Sequence, residues 1–128
     1  MLIKQVMIYF PVIEDWSASN PHSHLEGGMK YEHGKLTVPK AGRYYIYAQL
    51  QFSSEGRVQL LVNGDFVSLI TSPVTKGGPD AMASGSGVFV LNAGDSISLS
   101  INRWGAPADG SVKLWMINNH SYFGAFLI

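Results

Sequence analysis

The chain has 128 residues, 46% of them apolar and only 14% charged, and its nine basic and nine acidic residues cancel to a formal net charge of +0. Balance at a pI of about 6.9 excludes the electrostatic footprint of a nucleic-acid binder, and no stretch approaches the ~20 apolar residues of a membrane-spanning helix. The absence of cysteine excludes disulfides, thiol catalysis and cysteine-held zinc.

The length suits a single domain over residues 1–128. Its surface is short of charge against the ~25% of an ordinary globular protein, which points to burial of part of it against another chain. The opening MLIKQVMIYFPVI is apolar, yet it carries Lys4 and Gln5, reaches Pro11 early and lacks a small-residue cleavage site. It therefore reads as a strand rather than a signal peptide. Lys35 to Pro39 is short and extended, and Ala41-Gly42 breaks the chain before RYYIYAQLQF at 43–52, where tyrosines and aliphatics favour a sheet. Side chains alternate along a strand, so Tyr44, Ile46, Ala48, Leu50 and Phe52 form an ordinary core face. Tyr45, Tyr47, Gln49 and Gln51 form the other, a mixture of aromatics and amides that suits a protein interface.

RVQLLV (57–62) and FVSLIT (66–71) flank Asn63-Gly64-Asp65, and Asn-Gly predicts a tight hairpin because both residues tolerate positive φ. PVTKGGPD (73–80) reads as a loop. GVFVL (87–91) and SISLSI (96–101) are strands joined by Asn92-Ala93-Gly94-Asp95, a turn in which the Asp95 carboxylate accepts backbone N–H bonds. SVKLWMI (111–117) and YFGAFLI (122–128) complete about eight to ten short strands with no crossover helix between them. The class is all-β, an antiparallel β-sandwich or barrel.

Catalytic patterns are missing. His22, His24, His33 and His120 supply no third ligand that can be placed beside the His22-Ser23-His24 pair, so no metal is expected. Gly85-Ser86-Gly87 precedes a strand, not a helix N-terminus that would bind phosphate. Glu14 and Asp15 are adjacent, which in a strand sends them to opposite faces. The reading is of a non-enzyme without a cofactor.

The closing HSYFGAFLI (120–128) is too apolar for a frayed terminus. Trp16, GGMKYEHGKLTVPKAGRYYIYAQLQF, GVFVLNAGDSISLSIN and SYFGAFLI together resemble, in order, the signature segments of the tumour necrosis factor superfamily. ASGSGVFVLNAGD and VQLLVNGDFVSL also resemble the related C1q globular heads. Either resemblance implies a jelly-roll topology assembling as a homotrimer, with the last strand beside the tyrosine-rich one and the outward face of that sheet around a threefold axis. Phe123, Ala125 and Leu127 would then enter the protomer core, and Tyr122, Gly124, Phe126 and Ile128 would face other subunits. Tyr45, Tyr47, Gln49, Tyr122, Phe126 and Ile128 make up the implied trimer interface. Ser84 stands where a tyrosine is frequent, thinning the aromatic cluster expected at the axis.

The function implied is an extracellular trimeric cytokine, secreted or the ectodomain of a type II membrane protein, that clusters receptors of the tumour necrosis factor receptor type. The grooves between protomers would be lined by 17–24, 73–80 and 103–110, with Arg103, Trp104, Lys76, Asp80, His22 and His24 as the receptor-binding set. Trp104 is the expected hot spot, since Trp and Arg dominate binding energetics; the other reading is packing over the sandwich edge. Asn63-Gly64-Asp65 replaces a longer loop of many relatives, so the receptor contact usual there does not carry over. A C1q-like recognition head and a structural trimeric module are the alternatives, separable by what precedes the domain: an anchor, a collagen stalk or neither.

Overall fold

The computed structural model describes residues 3–7, 12–14, 16, 28–75, 77–102, 111–115 and 121–128. They form ten strands: β1 (Ile3–Met7), β2 (Lys30–Glu32), β3 (Lys35–Thr37), β4 (Gly42–Phe52), β5 (Arg57–Val62), β6 (Asp65–Thr71), β7 (Ala81–Leu91), β8 (Ser96–Asn102), β9 (Ser111–Trp115) and β10 (Tyr122–Leu127). Every strand pairing is antiparallel.

The first sheet is organised by β4. One of its edges pairs with β7 along all eleven residues, from Gly42↔Leu91 to Phe52↔Ala81. The other is shared end to end by β10, from Tyr44↔Leu127 to Gln49↔Tyr122, and by β9 at Phe52↔Leu114. β9 in turn carries β1. The second sheet runs β2-β3-β8-β5-β6. The chain passes repeatedly from one sheet to the other, which is the jelly-roll arrangement of a sandwich.

The core lies between the sheets and follows from alternation. Tyr44, Ile46, Ala48, Leu50 and Phe52 of β4 are buried against Val58 and Leu60 of β5 and Ile97, Leu99 and Ile101 of β8, with Val112 and Leu114 of β9 alongside. Each valine, leucine, isoleucine or phenylalanine among them contributes about 1.5–3 kcal/mol by leaving water. The opening stretch serves both sheets: β1 pairs in the first, whereas Val12 bridges Ser100 and the Ile13 N–H donates to Leu99 O at 2.8 Å in the second. β3 occupies only the Ile97 end of that edge of β8, so Val12 and Ile13 take over where it stops. Gly34 makes room for them, because a Cβ there would lie 2.7 Å from Val12 Cγ1.

Two elements depart from the expectation. β2 and the turn at His33-Gly34 were unread, and β7 begins at Ala81, six residues before GVFVL. The segment Ala-Met-Ala-Ser-Gly-Ser has little strand propensity of its own; its conformation comes from continuous pairing with β4.

The Asn-Gly hairpin forms as expected, with φ of 52° at Asn63 and 81° at Gly64. Asn63 also fastens a second turn. Its Nδ2 donates to Asp95 Oδ1 at 2.9 Å and its Oδ1 accepts from the Ser96 N–H at 2.9 Å, while Asp95 Oδ2 accepts from the Asn92 N–H at 2.8 Å. The Val38 N–H donates to Asp95 O at 3.0 Å, tying in the chain after β3. The Asn63 hydrogen bond, helped by that of Asn92, holds the Asp95 carboxyl below its ordinary value of 3.8.

A carboxylate with a depressed folded pKa contributes stability that is present above its unfolded value and lost as pH falls through the folded one. Asn63→Ala should therefore lower the melting temperature by a constant amount from neutral pH down to the ordinary aspartate range, and the difference from wild type should shrink in stronger acid. Thermal melts across that pH series check it; a difference that survives unchanged in strong acid would assign the effect to the turn alone.

Candidate functional site

The face of β4 opposite the core presents Arg43, Tyr45, Tyr47, Gln49 and Gln51. Register places Val90, Val88, Ser86, Ser84 and Met82 of β7 directly beside them on one flank. Ile128, Phe126, Gly124 and Tyr122 lie on the other, the Ile128 N–H donating to Arg43 O at 2.8 Å. Three strands thus build one surface with two ends. Toward Arg43 it is apolar: Val90 is 79% exposed, Ile128 67%, Phe126 52% and Val88 50%. Toward Gln51 it is mixed, with Gln49 bridging the strands by accepting from Tyr122 OH at 3.2 Å and pointing its Nε2 at Met82 Sδ, 3.5 Å away.

An aromatic cluster holds the middle. Ring centroids are 5.2 Å apart for Tyr45 and Phe126, 6.4 Å for Tyr47 and Phe126, 6.4 Å for Tyr45 and Tyr47, and 6.3 Å for Tyr47 and Tyr122, within the range of favourable ring contacts. The Tyr47 ring lies across β10 at Gly124, where a Cβ would sit 2.7 Å from Tyr47 Cζ. Glycine here serves close approach. Burial, and then the neighbouring Tyr122, push the Tyr47 phenol above its ordinary value of 10.0.

All six residues of the implied interface, Tyr45, Tyr47, Gln49, Tyr122, Phe126 and Ile128, are brought together on this face. Inside the sandwich, Phe123 meets Trp16 edge to face at 4.9 Å, with Trp16 Nε1 donating to Ile13 O at 2.8 Å, and Ala125 packs on the core. Leu127 departs from the expectation. It is 49% exposed rather than buried, because it lies at the mouth of the sandwich over Gly42, where its Cδ1 is 2.7 Å from the site of a glycine Cβ. Met82, Val88 and Val90 were not foreseen as part of the surface. Alternation along GVFVL separates Phe89 from Val88 and Val90, but only the register with β4 shows which set points outward.

Of the expected receptor-binding set, the structure describes Asp80 alone. His22, His24, Lys76, Arg103 and Trp104 lie outside the described residues. Asp80 is exposed at the entry to β7, in a segment anchored by buried Val74, whose N–H donates to Ser72 Oγ at 3.1 Å. His33 lies at the β2–β3 turn, its Nδ1 3.5 Å from Glu14 Oε1 and its Nε2 3.6 Å from Glu32 Oε1, all three side chains exposed. Among the described residues no three His, Asp or Glu gather in a way that could hold a metal ion.

The sequence profile of the TNF (Tumour Necrosis Factor) family matches residues 14–128. Lymphotoxin-alpha of Oryctolagus cuniculus is 28% identical over 134 aligned positions, covering 88% of this chain and 64% of the relative. Lymphotoxin-alpha of Notamacropus eugenii is 28% identical over 141, covering 92% and 67%. The chain thus spans about two thirds of the length of these relatives. Among solved structures, pika GITRL superposes with a TM-score of 0.53 at 25% identity over 77% of this chain and 80% of its own. Eiger TNF from S. frugiperda shares the fold with a TM-score of 0.67 at 15% identity over 98% and 85%.

Gly124→Ala should drive the Tyr47 ring off β10 and cost about 1 kcal/mol in lost aromatic contacts with Tyr122 and Phe126. In a Tyr47→Ala background the same change should be neutral or slightly stabilising, since alanine is the better strand residue. Denaturant melts of the four proteins give the coupling; equal costs in both backgrounds would show that the glycine is there for another reason.

Proposed function

The chain belongs to the tumour necrosis factor family, and from that premise we propose that it is an extracellular trimeric cytokine that clusters receptors of the tumour necrosis factor receptor type. The observation that carries the reading is the outer face of the first sheet. A contiguous surface holding Val88, Val90, Phe126 and Ile128 at least half exposed around an aromatic centre is the kind of apolar patch that marks a protein interaction site. Members of the family are trimers, and a threefold axis passing by this face would bring Tyr47 and Phe126 of three protomers together.

Such an assembly acts by geometry. Three equivalent grooves between neighbouring protomers collect three receptors, so affinity at one groove becomes avidity over three. The segments 17–24, 73–80 and 103–110 are the proposed groove lining, with Trp104 and Arg103 as anchors and Lys76, Asp80, His22 and His24 around them. No catalytic step is required, which fits a family of cytokines. Among the described residues no helix is long and apolar enough to cross a membrane, and family membership supports the reading of a secreted chain or an ectodomain.

The protein should run in solution near 42.0 kDa, three times the 14.0 kDa chain. Tyr47→Asp or Phe126→Asp would place three carboxylates together in a desolvated setting at a cost of several kcal/mol each and should yield monomer or aggregate. Gln51→Asp, at the mixed end, should be tolerated better. Light scattering coupled to size exclusion decides it, and a wild-type mass near 14.0 kDa at micromolar concentration would end the proposal.

Assembly also predicts the titration of Tyr47. A phenol whose folded pKa is raised contributes stability fully below its unfolded value and loses it as pH rises through the folded one. Burial at the axis should raise Tyr47 further, and dissociation should accompany its ionisation, so the phenolate should appear as the mass in solution falls from trimer to monomer with rising pH. Ultraviolet titration of Tyr47→Phe against wild type isolates the signal. Trp104→Ala, finally, should weaken receptor binding by about 2 kcal/mol with the oligomer intact; unchanged affinity with a lower melting temperature would return Trp104 to packing.

A further inference from the structure

We propose that Asn63 is a site of spontaneous deamidation, a self-modification of the chain whose rate is set by the clamp to Asp95. The inference is independent of receptor contact and of assembly. Asn63 lies in the exposed turn between β5 and β6 and is followed by Gly64, where no atom lies within 4 Å of the position a Cβ would take. Gly64 is exposed, and glycine puts no side chain of its own over the attacking nitrogen.

The chemistry needs only water. The Gly64 backbone nitrogen, having lost its proton to solvent, attacks Asn63 Cγ; the N–Cγ bond forms, the Cγ–Nδ2 bond breaks and ammonia leaves. Water then opens the five-membered imide at either carbonyl, leaving aspartate or isoaspartate. Attack must come from above the plane of the amide, which has to turn toward the backbone. In the fold both ends of that amide are held, Nδ2 by Asp95 Oδ1 and Oδ1 by the Ser96 N–H, each at 2.9 Å. Reaction therefore proceeds from the fraction of molecules in which the clamp is open.

The product does not fit the site it leaves. A carboxylate at position 63 has no hydrogen to give and meets the Asp95 carboxylate at what was hydrogen-bond distance. Asp95 is also the acceptor for the Asn92 N–H at 2.8 Å, so repulsion at one end loosens the turn between β7 and β8 as well. Each conversion adds one negative charge to a chain of net charge +0.

The test is incubation of the folded protein at physiological pH and temperature, followed by peptide mapping by mass spectrometry with isoaspartate detection. Conversion should occur at Asn63 and lag at Asn92, which is equally exposed but precedes Ala93. Asp95→Ala should speed it about tenfold, the effect of losing a hydrogen bond to a charged acceptor. Asp95→Asn, which keeps an acceptor without the charge, should fall between, and it replaces the alanine variant if circular dichroism shows the latter unfolded. Asn63→Gln should abolish the signal at that position. An Asn63 that stays intact while the urea-unfolded chain converts would overturn the proposal, as would equal rates in folded wild type and both Asp95 variants.

Discussion

Strict alternation along β4 is the constraint on which the rest of the molecule depends. This strand supplies the centre of the core with Tyr44, Ile46, Ala48, Leu50 and Phe52 and the centre of the exposed face with Tyr45, Tyr47 and Gln49. A slip of one residue against β7 or β10 would exchange the two sets and put three polar tips into the sandwich. Register is accordingly pinned on several sides. The Tyr47 ring lies close over Gly124, Leu127 reaches over Gly42, and Ser121 Oγ accepts from the Gln51 N–H at 3.0 Å at the far end. Core packing and the exposed aromatic face are thus consequences of one pairing.

The second sheet is organised differently. Its strands are joined and bordered by short turns, and the Asn63–Asp95 contact ties the β5–β6 turn to the one before β8, with Val38 fastened to the same aspartate through its backbone. β6 forms the edge and leaves Phe66 55% exposed, with Val67 and Leu69 beside it, after a register shift between Leu60 and Leu61. Apolar surface is displayed on the outer face of the first sheet, beside the exposed Arg43, and along this edge.

Legibility in the sequence followed the source of each element's stability. β4, β5 and β8 are rich in aromatic and β-branched residues, so local preference and tertiary pairing agree, and RVQLLV was read to the residue. β2 is three residues, Lys-Tyr-Glu, with too short a run for alternation to register. The first half of β7 was invisible because Gly85 and its serine neighbours are placed by their partner strand, not by themselves. The same reason hid Met82, Val88 and Val90 from the interface reading: sidedness belongs to a pair of strands. Leu127 shows the limit of alternation itself, which fixes direction but not depth, and at the mouth of a sandwich an inward side chain has little to meet. The residues expected to contact a receptor show no periodicity in the sequence, and their candidacy rests on the family resemblance and on residue type.

The terminal strand brings these threads to a single physical problem. Its backbone is secured against β4 as far as Ile128, so it cannot fray without breaking the ladder. Its inner side is satisfied within the protomer, where Phe123 packs on Trp16 and Trp16 is itself held by Ile13 O. Its outer side is not, since Phe126 and Ile128 remain more than half exposed. A strand fixed in place with one face dry and the other wet cannot relieve the exposure by moving, because any shift that hides Phe126 also withdraws Phe123 from the core. Under the proposed threefold assembly the relief would come from outside the protomer, each copy's outer face meeting two neighbours around the axis through heterologous contacts that close into a ring.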